Sequence, residues 1–273
     1  MNSEYIQRVG DRTDASAEPL YFPVANEEQL FRAADREQLA VILKGPTGVG
    51  KTRFVEWMAH RLGRPLITVA CHEDLTAADL VGRYLLKGGE TVWEEGPLTT
   101  AVRMGAICYL DEIVEARSDS IVVIHPLTDH RRMLTLERLD QTLIADPKFM
   151  IVASYNPGYQ SILKDLKQST RQRFVSIELG FPPPEVERQV LSAEAGASTE
   201  LASDLVRFAH AIRRLDAAGL AEASSTRSLV AAARLVRGGV PVREAVLAGI
   251  IGPLTDDPRM GAELKDLVDA YFL

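Results

Sequence analysis

Residues 45–52, Gly-Pro-Thr-Gly-Val-Gly-Lys-Thr, restrict what this chain can become more than any other stretch. They form a complete G-x-x-x-x-G-K-[ST] loop, which works only between a buried strand and a helix N-terminus. Both neighbours are present. Upstream, Leu39-Ala40-Val41-Ile42-Leu43 is a short apolar run suited to a parallel strand buried on both faces. Downstream, Phe54, Val55, Met58 and Leu62 recur at helical spacing until Gly63 and Pro65 supply a stop. In that setting Gly45, Pro46, Thr47, Gly48, Val49 and Gly50 wrap a triphosphate: the glycines let the backbone N–H groups, which Pro46 alone lacks, close around it, and the helix dipole favours its charge. Lys51 is expected to reach the β- and γ-phosphates, with the Thr52 hydroxyl on Mg²⁺. The expected ligands are a nucleoside triphosphate and Mg²⁺.

A chain of 273 residues can bury a sizeable core, as one large domain or two modest ones. Its net charge of −7 gives no electrostatic case for general nucleic-acid binding. No apolar stretch approaches a membrane span in length, and no signal-peptide core opens the sequence. A soluble cytoplasmic protein is expected, with neither membrane nor nucleic acid among its partners. Cys71 and Cys108 each adjoin an apolar strand-like run and are expected as buried thiols rather than a disulfide.

Apolar strand patterns at 39–43, 66–71, 106–110, 149–154 and 174–179 alternate with helical ones, which argues for an α/β fold with a parallel sheet. Pro182-Pro183-Pro184 breaks the chain. Beyond it 184–195, 201–215, 226–237, 241–251 and 262–272 all read as helix. The expected organisation is a flexible polar tail over 1–20, an α/β phosphate-loop core over 21–182 and a small all-helical lid over 183–273.

Further chemistry falls at segment ends. Ile107-Cys108-Tyr109-Leu110-Asp111-Glu112 is a strand that delivers two carboxylates to the edge where open α/β sheets bind ligands. Asp111 is expected in the Mg²⁺ shell, leaving Glu112 to polarise the attacking water as general base. Without the loop, an Asp-Glu pair there would be an ordinary helix start. Asn156, in Ser154-Tyr155-Asn156-Pro157, is placed to orient that water or the γ-phosphate, although Asn before Pro also serves as a plain turn. In Ser169-Thr170-Arg171-Gln172-Arg173-Phe174, Arg171 or Arg173 would project to a neighbouring subunit's nucleotide, where such a finger contributes about 10³–10⁵ in rate. The bland alternative is a solvated basic helix end near Lys164 and Lys167. Arg227, in Ser225-Thr226-Arg227-Ser228, would reach back to the γ-phosphate and couple hydrolysis to lid movement, with Ser225 or Thr226 as N-cap.

This ordered set, from Tyr21 onward, resembles an AAA+ ATPase. More narrowly, KGPTGVGKTRFVE, ACHEDLTAADLVGRYLL, WEEGPL, ICYLDEIVEAR, HPLTDHRR, SYNPGYQSILKDLKQSTRQRF and STRSLV resemble the MoxR group, and within it the CbbQ/NirQ/NorQ proteins, with CbbQ nearest. The resemblance implies that the triphosphate is ATP and that the chain forms a homo-oligomeric ring, usually hexameric. Such a ring works with a von Willebrand factor A partner (CbbO- or NorD-like) to activate a metabolic enzyme by ATP-driven remodelling. For CbbQ the client is Rubisco, freed from inhibitory sugar phosphates; for NirQ and NorQ it is a nitric oxide reductase or related denitrification enzyme. Rubisco reactivation is the leading expectation and nitric oxide reductase the alternative. A rival from another class is a nucleotide-gated scaffold whose hydrolysis is incidental. A third reading, a helicase-type translocase, would need a basic pore or an added DNA-binding module, and the acidic balance counts against it.

Tyr84 to Trp93 reads as a β-hairpin about Gly88-Gly89, where the resemblance implies an insertion facing a central pore; the alternative is a surface hairpin that buries Trp93 and Leu85 on its own domain. A second hairpin is expected around Met133–Leu143. His125 and His130 have no cysteine or H-E-x-x-H context to support a metal site, and Arg131-Arg132 reads as a solvated turn or ring contact.

Overall fold

The computed structural model describes residues 7–8, 18–157, 166–216 and 224–272. The chain packs as two units. The first takes in Ala25–Gly45 and Lys51–Leu179 with the chain before Leu20; the second takes in Leu20–Val24, Pro46–Gly50 and Gly180–Leu273.

The first unit runs β1 (Gln7–Arg8), α1 (Glu27–Arg36), β2 (Ala40–Lys44), α2 (Lys51–Leu62), β3 (Leu66–Ala70), α3 (Ala77–Val81), β4 (Gly82–Lys87) and β5 (Glu90–Glu95). It continues with α4 (Pro97–Met104), β6 (Ile107–Asp111), α5 (Ser118–Val122), β7 (Met133–Leu136), β8 (Gln141–Ile144), β9 (Met150–Tyr155), α6 (Gln168–Arg171) and β10 (Phe174–Glu178). Five strands form a parallel sheet in the order β3-β6-β9-β2-β10. Because β9 is buried along its whole length and β2 and β6 at four of five positions, they read as unbroken apolar runs. β1 adds an antiparallel pair on the β3 edge, so Gln7–Arg8 of the expected tail is part of the sheet. The rest of that tail up to residue 17 lies outside the described residues, as does Lys164.

Strand order is what positions the site. β9 lies between β6 and β2, with Leu110 opposite Ala153 and Leu43 opposite Ser154. The C-terminal ends of the loop strand, the Asp-Glu strand and the Asn156 strand are therefore side by side. Val41, Leu43, Ile107, Tyr109 and Val152 are fully buried, each apolar side chain contributing roughly 1.5–3 kcal/mol.

Both expected hairpins are present. β4 and β5 pair antiparallel with Tyr84 opposite Trp93 and Lys87 opposite Glu90. The intervening Gly88 and Gly89 have φ of 62° and 89°, the left-handed pair a two-residue turn demands. β7 and β8 form the second, with Met133 opposite Ile144.

The second unit is helical: α7 (Pro184–Ala195), α8 (Thr199–Asp216), α9 (Thr226–Arg237), α10 (Val242–Val246), a π-turn over Leu247–Ile251, α11 (Gly252–Leu254) and α12 (Pro258–Phe272). The helix expected over 241–251 thus runs on through a widened turn. Pro253 offers no N–H and crowds the carbonyl four residues back, so the ladder opens to i→i+5 before it. Leu191, Leu205, Phe208, Leu229, Val246, Ile250 and Val268 form the core of this unit. Among the described residues no helix is long and apolar enough to cross a membrane.

Candidate active site

The phosphate loop leaves β2 at Gly45, whose N–H donates to the Tyr155 carbonyl at 3.4 Å, and re-enters the first unit at Lys51, the first residue of α2. Lys51 is buried, 6% exposed. Its Nζ donates to the Gly45 carbonyl at 2.9 Å and lies 3.7 Å from Glu112 Oε1. Thr52 Oγ1 lies 3.5 Å from Asp111 Oδ2 and 3.4 Å from the Tyr109 hydroxyl.

Two residues given no role by the sequence hold Asp111 in place. Its Oδ1 accepts from the Tyr109 hydroxyl and from Ser154 Oγ, both at 2.6 Å. Ser154 Oγ also accepts the Glu112 backbone N–H at 3.1 Å. Tyr109 could have been found from its spacing, since residues two apart on a strand share a face. Ser154 could not, because its approach depends on β9 lying beside β6. Burial, reinforced by the Asp111 charge, drives the Tyr109 pKa far upward, so the phenol stays a donor.

Glu112 follows with φ 52° and ψ 53°, a left-handed backbone that is strained for a residue with a Cβ and concentrates at functional sites. Partial burial raises its carboxyl above the ordinary value; Lys51 opposes the rise, while Asp111 and Glu115 add to it. Buried Asn156 lies one residue beyond the end of β9, the strand between β2, which leads into the phosphate loop, and β6, which carries Asp111. The Thr52 hydroxyl and Asp111 carboxylate are hard oxygen donors facing each other, and among the described residues no lysine or arginine forms an ion pair with Asp111. That donor set fits magnesium.

Cys71 and Cys108 are buried free thiols. Burial pushes both up to about 12, with Asp111 and Glu112 adding to the rise at Cys71.

Arg171 is half-buried at the end of α6, and Arg173 precedes the edge strand β10. Arg173 is anchored within its own chain: Nη1 donates to Asp129 Oδ2 at 3.1 Å and to the His125 carbonyl at 3.3 Å. Arg131 grips the same carboxylate at 2.9 and 2.7 Å and holds it well below the usual range. His125 Nε2 meets Thr170 Oγ1 at 3.1 Å, and burial followed by the Arg173 charge lowers its pKa. Arg132 corrects an expectation. It is no solvated turn: its guanidinium donates to the carbonyls of Gln38, Asp146 and Phe149 at 3.1, 3.2 and 2.8 Å.

In the second unit, Ser225 caps α9 by accepting the Ser228 N–H at 3.2 Å, and exposed Arg227 lies in the first turn. Gly48, at φ 75°, belongs to this unit, and a methyl group on it would stand 2.6 Å from Ser225 Cβ and 3.2 Å from Arg227 Cβ. Only glycine fits both the space and the backbone. Glu187 is the residue that sequence reasoning missed here. It shares the inward helical face of Leu191 and Ala195, a spacing that marks a buried acid in need of a partner.

The AAA domain (dynein-related subfamily) family model matches residues 40–174, and the CbbQ/NirQ/NorQ C-terminal model matches residues 187–271. The chain is 58% identical to protein NorQ of Paracoccus denitrificans over 93% of its length and 94% of that protein. It is 53% identical to the denitrification regulatory protein NirQ of Stutzerimonas stutzeri, over 93% and 92%. Identity to protein CbbQ of Hydrogenophilus thermoluteolus is 52%, over 94% and 96%. These identities do not set CbbQ ahead of NorQ, as the motifs had suggested. Among solved structures, a putative ATPase from Cytophaga hutchinsonii superposes with a TM-score of 0.51 at 17% identity, covering 91% of this chain and 89% of that one. A RuvB variant from Thermotoga maritima does so with a TM-score of 0.56 at 13% identity, over 90% and 71%. At such identities the likeness speaks for the fold.

Proposed function

Because the chain belongs to the CbbQ/NirQ/NorQ family of MoxR-type AAA+ ATPases, we propose that it uses ATP hydrolysis, as a hexameric ring with a von Willebrand factor A partner, to activate a client enzyme. The observation that carries this reading is the meeting of Lys51, Thr52, Asp111 and Glu112 at one sheet edge, with Glu112 in a strained backbone and its carboxyl pKa raised.

In this reading Lys51 binds the β- and γ-phosphates. Thr52 and Asp111 would hold magnesium, which when bound neutralises charge on those phosphate oxygens. Glu112 takes the proton of the attacking water, and its raised pKa brings it closer to the working pH of a general base. Asn156 orients that water. Arg173 or Arg171 completes a neighbour's site, and Arg227 senses the γ-phosphate. The β4–β5 hairpin is the element for client contact, a reading supported by Tyr84, Leu86 and Val92, which are 43%, 76% and 43% exposed.

For the client, 58% identity to a NorQ and 53% to a NirQ support nitric oxide reductase ahead of Rubisco, and 52% identity to a CbbQ keeps Rubisco as the second reading. Co-production with each client and a von Willebrand factor A partner tests this. The expected result is nitric oxide reductase activity that depends on the chain and disappears with Glu112→Gln. Activation of Rubisco alone would reverse the order of the two clients. Full activation by Glu112→Gln would make the ring a nucleotide-gated scaffold.

A further inference from the structure

The second unit contains a buried ion pair that none of the proposed steps uses. Glu187 on α7 is fully buried, and Arg213 on α8 meets its carboxylate with both terminal nitrogens at 2.8 Å. The Arg213 guanidinium lies 4.0 Å from the Phe181 ring centroid, and its Nε donates to the Ser224 carbonyl at 2.8 Å. Thr226 Oγ1 donates to Glu187 Oε1 at 2.6 Å. The pair therefore grips Ser224 and Thr226, the two residues flanking Ser225, the α9 cap.

Stability alone is a weak explanation for this arrangement. Taking two ions out of water costs much of what their attraction returns, and apolar side chains of similar volume often pack as well. What a forked guanidinium bonded through all three of its nitrogens does supply is one fixed geometry. Here the geometry it fixes belongs to Ser225 and Arg227, the residues against which Gly48 of the phosphate loop packs too tightly for any side chain.

We propose that Glu187 and Arg213 are positioning residues for ATP hydrolysis. They clamp the N-terminus of α9 so that Ser225 seats on Gly48 and Arg227 stands at a set place beside the loop. Neither residue touches nucleotide; both act through Thr226 and the Ser224 carbonyl. The proposal rests on the reading of Arg227 as the sensor of the γ-phosphate.

The experiment compares steady-state ATPase activity of the full chain with that of Arg227→Ala, Thr226→Val, and the volume-conserving pair Glu187→Gln with Arg213→Met. Thr226→Val keeps the ion pair and the β-branched shape, so it probes the same geometry even if the paired variant does not fold. Each variant is expected to lose about tenfold or more in kcat when assayed well below its own thermal midpoint, as misplacement of a reacting group does. Combined with Arg227→Ala, neither Thr226→Val nor the pair should lower kcat further, because residues acting through one group are not additive. If Arg227→Ala lowers kcat while Thr226→Val and the pair keep full rate, or multiply with it, the positioning role is overturned. If Arg227→Ala itself keeps full kcat, the sensor reading falls first and takes the proposal with it.

Discussion

The Tyr109 hydroxyl donates to Asp111 Oδ1 at 2.6 Å, which leaves Oδ2 turned toward Thr52. A buried phenol thus selects which carboxylate oxygen faces the candidate magnesium position. Tyr109→Phe keeps the ring and its packing but removes that donor. Magnesium titration of the ATPase should show apparent affinity weakened about tenfold, the usual cost of losing a residue that orients a metal ligand. Thermal stability should fall by about 1 kcal/mol. An unchanged magnesium dependence would reduce Tyr109 to a packing residue.

Glu112→Gln should retain nucleotide yet lose turnover by about 10²–10⁴-fold, the contribution of a positioned general base. Partial burial places the wild-type carboxyl above the 4.5 of an ordinary glutamate. Activity should therefore fall on acidification with a midpoint above that value, because a protonated Glu112 cannot accept the water's proton. The stability effect has the opposite sense. The folded chain binds this proton more tightly than the unfolded chain, so Glu112 favours folding at low pH, and that contribution is lost as pH rises through its raised pKa. Thermal midpoints of wild type and Glu112→Gln across this window should diverge in that direction; parallel curves would contradict it.

The Asp129 anchor makes Arg173 a preorganised candidate for a neighbour's nucleotide. Arg173→Ala should lower the rate by about 10³-fold or more. Mixing it with Lys51→Ala subunits should recover part of the activity, since one copy then offers an intact phosphate loop and the other an intact arginine. Absence of recovery at every ratio, with rings still formed, would argue against shared sites.

Arg132 bonds three backbone carbonyls, whereas exposed Arg131 bonds a single carboxylate, that of Asp129. Arg132→Ala should therefore destabilise the chain by about 2 kcal/mol, because charge-assisted bonds to part-buried carbonyls are lost. Chemical denaturation of Arg131→Ala should show a far smaller shift. Equal effects of the two changes would mean that the carbonyl bonds contribute little.

Much of this architecture is legible along the chain. An apolar run, a glycine-rich loop and a helical repeat announce the Leu39–Leu62 segment, and Gly88-Gly89 announces a tight turn with strands on either side. Such features depend on residues within a few positions of one another, so local periodicity and backbone freedom carry the information. The phosphate loop, the Asp111–Glu112 strand end and Asn156 are all found this way. What places Asn156 between the other two is strand order, with β9 inserted between β6 and β2, and no local pattern encodes that order. The same holds for Ser154, which reaches Asp111 and Glu112 from more than forty residues away, and for the Glu187–Arg213 clamp on α9. Contacts of that span form only when separate buried surfaces pack together. Composition and spacing therefore reveal which groups the chain carries, and packing sets which of them meet.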